Sequence, residues 1–163
     1  MREITPNEVS KLYDCIRELS DYHNTTSVNF KGFYPLNPYE KTLESFEAAL
    51  REKKSYIAVT EIEDRIIGFC KVDIIGEIGK LDYLVVKEEF RGKGFGKELM
   101  DWAMLMFDQN NVRHIEVKVV DGNKTIHLYE KYGFKMKSHI LGIERLNYSL
   151  NDERGNSEYD IFC

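Results

Sequence analysis

The chain has 163 residues and a mass of 19.1 kDa, with 42% hydrophobic and 31% charged residues, which suits a single domain over 1–163 with a core of its own. Its formal charge of −5 and pI near 5.5 argue against binding along a phosphate backbone, so nucleic acid is excluded as a partner. No apolar run reaches the roughly 20 residues of a membrane span, and the first residues contain no apolar signal core. The three cysteines, Cys15, Cys70 and Cys163, have neither zinc spacing nor the arrangement of a disulfide framework. A cytoplasmic protein with no membrane partner and no metal is expected.

In chain order, residues 2–5 predict a first strand ended by Pro6, with Asn7 as the cap of the next helix. Val9, Leu12, Tyr13, Ile16 and Leu19 recur at helical spacing, predicting a helix over 8–21. Residues 22–38 mix aromatics with Asn, Thr, Gly and two prolines, which is the composition of a long functional loop. Leu43, Phe46, Ala49 and Leu50 predict a helix over 39–53. Residues 55–61 and 65–74 read as strands joined at Glu63-Asp64. Gly76 and Gly79 punctuate the chain before a central strand over 81–86. Leu99, Trp102, Ala103 and Met106 share one face of a helix over 94–109. Residues 112–120 alternate as a strand, Asp121-Gly122-Asn123 turns the chain, and a short helix follows over 124–132. Strands from 134 to about 147 and over 158–162 complete an α/β alternation.

The chemistry concentrates between 81 and 96, LDYLVVKEEFRGKGFG. An apolar strand, a glycine-rich loop and a helix start, in that order, gather backbone N–H groups and the positive end of a helix dipole into an anion site. Two phosphate loops do not fit. The dinucleotide fingerprint needs a third glycine where Lys97 stands, and a P-loop needs a hydroxyl where Glu98 stands. The pattern R-x-x-G-x-G is present as Arg91, Gly94 and Gly96.

This loop, VVKEEFRGKGFG, resembles the acetyl-coenzyme A loop of the GNAT N-acetyltransferases, with Glu88 in place of a proline. Downstream, LYEKYGF (Leu128, Tyr129, Glu130, Lys131, Tyr132, Gly133, Phe134) is similar to that family's second signature. The resemblance implies a mixed, mostly antiparallel seven-stranded sheet flanked by about four helices, with a cofactor arm between the strands 81–86 and 112–120. It implies an acetyl-CoA-dependent N-acetyltransferase acting by direct attack on a primary amine of a small molecule or peptide, as a monomer or homodimer. A non-catalytic acetyl-CoA sensor of the same fold is the alternative. Arg91, Gly92, Lys93, Gly94, Phe95 and Gly96 are expected to hold the cofactor phosphates, and the backbone of Leu84, Val85 and Val86 to face its thioester.

Tyr129 stands at the tyrosine of the second signature and is expected both to contact the cofactor and to protonate the leaving thiolate; Tyr132 is the less favoured tyrosine. The family often has an asparagine seven residues before this tyrosine. Here that offset holds Gly122, so Asn123 either serves one residue later or only caps the helix. A free amine near pKa 10.4 must lose a proton before attack. Asp82, a carboxylate within an apolar run, is the first candidate base, since burial would raise its pKa; Asp73 and Glu77 are alternatives. The resemblance places the acceptor wall between the first two helices, where His23, Phe30, Phe33 and Tyr34 are candidates.

Overall fold

Two β-rich runs meet at Glu63 and Asp64, both at positive φ (50° and 60°), as a tight right-twisting hairpin requires. The hairpin strands, Ser55–Ile62 (β2) and Arg65–Ile75 (β3), form the centre of the sheet. The computed structural model describes residues 1–143. Among these, β1 (Arg2–Glu3) pairs antiparallel with β2, β4 (Ile78–Val86) pairs antiparallel with β3, and β5 (His114–Val117) adds in parallel to β4. The spatial order is β1-β2-β3-β4-β5. Four α-helices accompany them: α1 (Tyr13–Thr26), α2 (Tyr39–Arg51), α3 (Phe95–Gln109) and α4 (Ile126–Lys131). 3-10 segments cover Pro6–Leu12 and, in a single turn, Glu88–Phe90.

The two faces of the sheet carry separate cores. Val9, Leu12, Ile16 and Phe46 pack with Ile57, Val59, Phe69 and Val85 on the α1/α2 face. Leu99, Met100, Ala103 and Phe107 of α3 pack with Ala58, Cys70, Val72 and Leu81 on the other. The periodic apolar stripes of α1 and α3 cause this: each is wide enough to cover half a sheet.

Several expectations are corrected. Five strands form among the described residues, and residues 134–143 contain no strand, so the expected count of seven is not met within 1–143. Residues 144–147 of that expected strand, and the whole of 158–162, lie outside the described residues. The strand expected over 112–120 contracts to His114–Val117. Asn7 does not cap the first helix. The Thr5 N–H donates to the Glu8 carboxylate at 3.1 Å and the Glu8 N–H to the Thr5 carbonyl at 3.0 Å, while Asn7 accepts from Arg51 at 3.2 Å. The first helix runs to Thr26, so Tyr22 and His23 sit on it rather than in the loop. Gly79 lies within β4 instead of before it, paired with Ile74, and the Phe107 ring 2.6 Å from where a Cβ would be leaves no room for a side chain there.

One irregularity in β4 positions the site. Lys71 of β3 pairs with Tyr83 and Val72 with Leu81, so Asp82 is an extra residue, a β-bulge. The bulge reverses the alternation of the strand. Leu81 belongs to the α3 face, Tyr83 and Val85 to the α1/α2 face, and Leu84 and Val86 again to the α3 face.

Candidate active site

The β4–β5 pairing ends at Leu81 and Val117. Beyond it the strands diverge, and a cleft of about 480 Å³ opens, lined by residues 81–86 on one side and 117–120 on the other. In an antiparallel ladder, alternate residues exchange hydrogen bonds with the partner strand. The Lys87 N–H donates to the Ile67 carbonyl at 2.8 Å, so Val85 and Tyr83 also face β3. The N–H groups of Leu84 and Val86 then point into the cleft, where β5 has left the ladder.

The glycine loop closes one end. Gly94 (φ +96°) caps α3, and nothing lies within 4 Å of where a Cβ would be at Gly92 or Gly94. The Gly94 carbonyl accepts from Lys97 and Glu98 at 2.9 and 3.1 Å, so the amides of Phe95 and Gly96 precede the first helical bond and remain open donors. Gly92, Gly96 and Arg91 line the cleft. Arg91 donates from Nε to the Val86 carbonyl at 2.9 Å and lays its guanidinium 4.6 Å from the Tyr22 ring centroid. The Lys93 ammonium lies over the Phe90 ring, 5.2 Å from its centroid. Open backbone donors, an uncrowded loop and an arginine suit a phosphorylated cosubstrate.

Tyr129 lines the opposite wall. It is 8% exposed, and burial pushes its phenol well above the ordinary range, so it stays protonated at neutral pH. Tyr132 is engaged elsewhere: its hydroxyl donates to Asp101 at 2.5 Å, and burial together with that carboxylate pushes it up to about 12. Asn123 also lines the cleft. Its Oδ1 accepts from the Tyr22 hydroxyl at 3.2 Å and from the Thr125 N–H at 2.9 Å, which leaves the Asn123 amide NH₂ as the group able to donate to a ligand. Tyr22 therefore bridges the two lips of the cleft, between Arg91 and Asn123. The glycine at position 122 has a steric reason. Gly122 is at φ +75°, with the Thr26 carbonyl oxygen 2.6 Å from where a Cβ would be, so an asparagine there would collide with the end of α1.

The segment that follows α1 is held by two side-chain clamps that no local pattern announces. Asp121 accepts from the Ser27 hydroxyl (2.5 Å), the Val28 and Asn29 amides (3.1 and 2.8 Å) and the Asn29 side chain (2.9 Å). Asn24 exchanges two hydrogen bonds with the Tyr34 backbone, at 2.7 and 2.9 Å. His23 and Tyr34, edge to face at 5.1 Å, line the cleft. Burial lowers the His23 pKa. Phe30 and Phe33 meet edge to face at 6.1 Å and do not line it.

Asp82 lines the cleft and an adjoining cavity of about 350 Å³. The expected rise of its pKa is not found. Burial pushes it up, but the Lys71 and Lys80 ammonium groups outweigh that, and its carboxyl sits below the ordinary range. Lys71, almost fully buried, holds Asp82 at 2.8 Å, binds Asp73 as well, and lies 5.0 Å from the Phe46 ring centroid. Of the other proposed bases, Asp73 is taken up by Lys71 and Ser55, and Glu77 pairs with Arg113 at 3.2 Å.

A model of the acetyltransferase (GNAT) domain matches residues 53–136, which contain the strands, loop and helix that build the cleft. The chain belongs to the GNAT acetyltransferase family. A relative in Bacillus subtilis (strain 168), provisionally named a ribosomal protein bS18-alanine N-acetyltransferase, is 25% identical over 114 residues, 69% of this chain and 73% of the relative. The PaiA N-acetyltransferase of Thermoplasma acidophilum, solved with coenzyme A, superposes with a TM-score of 0.71 at 19% identity, over 85% of this chain and 91% of that one. A predicted acetyltransferase of Clostridium acetobutylicum, solved with acetyl-CoA, does so with a TM-score of 0.67 at 17% identity, over 88% and 94%. The GNAT fold is thus shared well beyond recognisable sequence similarity. Among the described residues, no helix is long and apolar enough to cross a membrane.

Proposed function

We propose that this chain transfers an acetyl group from acetyl-CoA to a primary amine of a small molecule or peptide by direct attack. The observation that carries this reading is convergence: the open loop amides, the free Leu84 and Val86 N–H groups and the protonated Tyr129 border one cleft. When bound, acetyl-CoA supplies the thioester to be cleaved. The amides of Gly92 to Gly96, with Arg91, hold its phosphates, and the Asn123 amide steadies its arm. The Leu84 and Val86 amides donate to the carbonyl oxygen, where negative charge develops. As the amine nitrogen bonds to the carbonyl carbon, the carbon–sulfur bond breaks, the Tyr129 hydroxyl donates a proton to the departing sulfur, and the second proton shed by the new amide nitrogen restores the phenol through solvent.

The amine proton leaves to solvent. At pH 8 an amine of pKa 10.4 is about 0.4% neutral, and the lysines around Asp82 favour that neutral form. Asp82, held low by two cations, acts as a hydrogen-bond acceptor for the amine rather than as its base, and His23 and Tyr34 wall the acceptor.

The test is calorimetric titration of acetyl-CoA, with ATP as control, followed by turnover of Tyr129→Phe. Acetyl-CoA is expected to bind without magnesium and in preference to ATP. The variant is expected to keep its acetyl-CoA Kd within about twofold and to lose about 10²-fold in kcat. No binding at millimolar acetyl-CoA, or unchanged turnover in the variant, refutes the reading. Binding with no turnover of any amine indicates a sensor instead.

A further inference from the structure

The acceptor end carries an unusual balance of charge. The cleft and the cavity beside it share Asn37, Thr42, Asp82 and Tyr83 in their walls, so the two adjoin at the acceptor end. Among the described residues lining either, Asp82 is the one carboxylate, against Arg91 and Lys118 in the cleft and Lys41 in the adjoining cavity. That carboxylate is already bound by Lys71 at 2.8 Å and by Lys80. Apolar or aromatic surface comes from Leu36 and Tyr34 in the cleft, Phe46 in the cavity and Tyr83 in both, beside the uncharged Asn37, Thr42 and Ser45. The Tyr83 ring is fixed against Phe46 and Phe69, with centroids 4.9 and 5.9 Å away.

A polycationic acceptor needs a carboxylate for each nitrogen that leaves water, because an unpaired charge in a partly buried site is costly. This site has a single carboxylate for the reacting amine and none for a second cation. We infer that the acceptor is a monoamine with an apolar or aromatic body, and that polyamines and aminoglycosides are rejected. The amine lies at Asp82 and the body against Tyr83 and Phe46. Cations around the site also disfavour the ammonium form of the acceptor, which must be lost before attack.

This substrate class rests on the acetyl-transfer reading above. The test measures thiol release from acetyl-CoA with four acceptors: phenethylamine, the dipeptide amide Ala-Phe-NH₂, spermidine and kanamycin. The better of the two monoamines is expected to exceed both polycations by at least threefold in kcat/KM, and the ratio between the first two tells a free amine from a peptide N-terminus. A smaller ratio, or its reversal, overturns the substrate class and leaves acetyl transfer standing. No thiol release with any acceptor overturns the transfer reading and this inference with it. Lys41→Glu, checked for folding by its acetyl-CoA affinity, places a second carboxylate at the cavity. It is expected to raise the spermidine to phenethylamine ratio by about threefold to fivefold; an unchanged ratio overturns the charge argument.

Discussion

Replacing Gly122 by alanine tests whether the β5–α4 turn and the segment after α1 are one packed unit. Two costs act together. An L side chain at φ +75° carries a backbone penalty of roughly 1 kcal/mol. Its Cβ would also lie 2.6 Å from the Thr26 carbonyl oxygen and 3.0 Å from Val28 Cγ2, and backbone cannot rotate out of the way. Relief requires residues 26–29 to move off the Asp121 carboxylate, which accepts hydrogen bonds from Ser27, Val28 and Asn29. Losing two of these at about 1 kcal/mol each brings the total to about 3 kcal/mol. Gly76→Ala is the control: Gly76 is at φ +59° with nothing within 4 Å, so only the backbone penalty of about 1 kcal/mol applies. At about 2–4 °C per kcal/mol for a chain of this size, Tm is expected to fall by about 6–12 °C for Gly122→Ala and about 2–4 °C for the control. Thermal scans by circular dichroism, confirmed by guanidinium midpoints, measure both. Equal losses for the two variants would refute the steric reasoning.

Three further outcomes are expected. Gly94→Val places a branched side chain in the loop at φ +96°; the acetyl-CoA Kd should rise at least about tenfold by calorimetry, while urea denaturation shows a loss of roughly 2 kcal/mol. Lys71→Met leaves Asp73 and Asp82 facing each other without their shared cation, which should cost about 3 kcal/mol in the same assay; adding Asp82→Asn should recover part of it, and no recovery would show that the carboxylates do not repel. Glu8 is held at about 2 and Glu61 below its usual range, mainly by hydrogen bonds from Arg2. Carboxylates with lowered folded-state pKa values stabilise the fold above their unfolded value near 4.5 and lose that contribution as pH falls toward 2. The urea midpoint of the native chain should therefore drop between pH 5 and pH 2, and that of Glu8→Gln should drop less.

Much of the fold was legible because it is written in short-range pattern. The hairpin turn at Glu63-Asp64, the α3 stripe and the strand–glycine–helix order of the anion loop each depend on residues within about one element of each other. Boundaries were less legible. Tyr22 and His23 continue α1 because they pack across the cleft, with Tyr22 reaching Asn123, whereas composition alone placed them in a loop. The strand expected from residue 134 fails over 134–143, since apolar alternation supplies no partner ladder.

In the site, the sequence by itself determined the local chemistry: which residues form the loop, and that a tyrosine follows on the next helix. Tertiary structure alone decided what each group faces. A single extra residue in β4 turned Asp82 toward two lysines, so a carboxylate whose burial predicted a raised pKa has a lowered one. Asp121 acts on residues more than 90 positions away, and Gly122 is required by the carbonyl of Thr26. Charge and steric contacts act through space and fall off over a few ångströms, so they follow the packing of the chain and not its order.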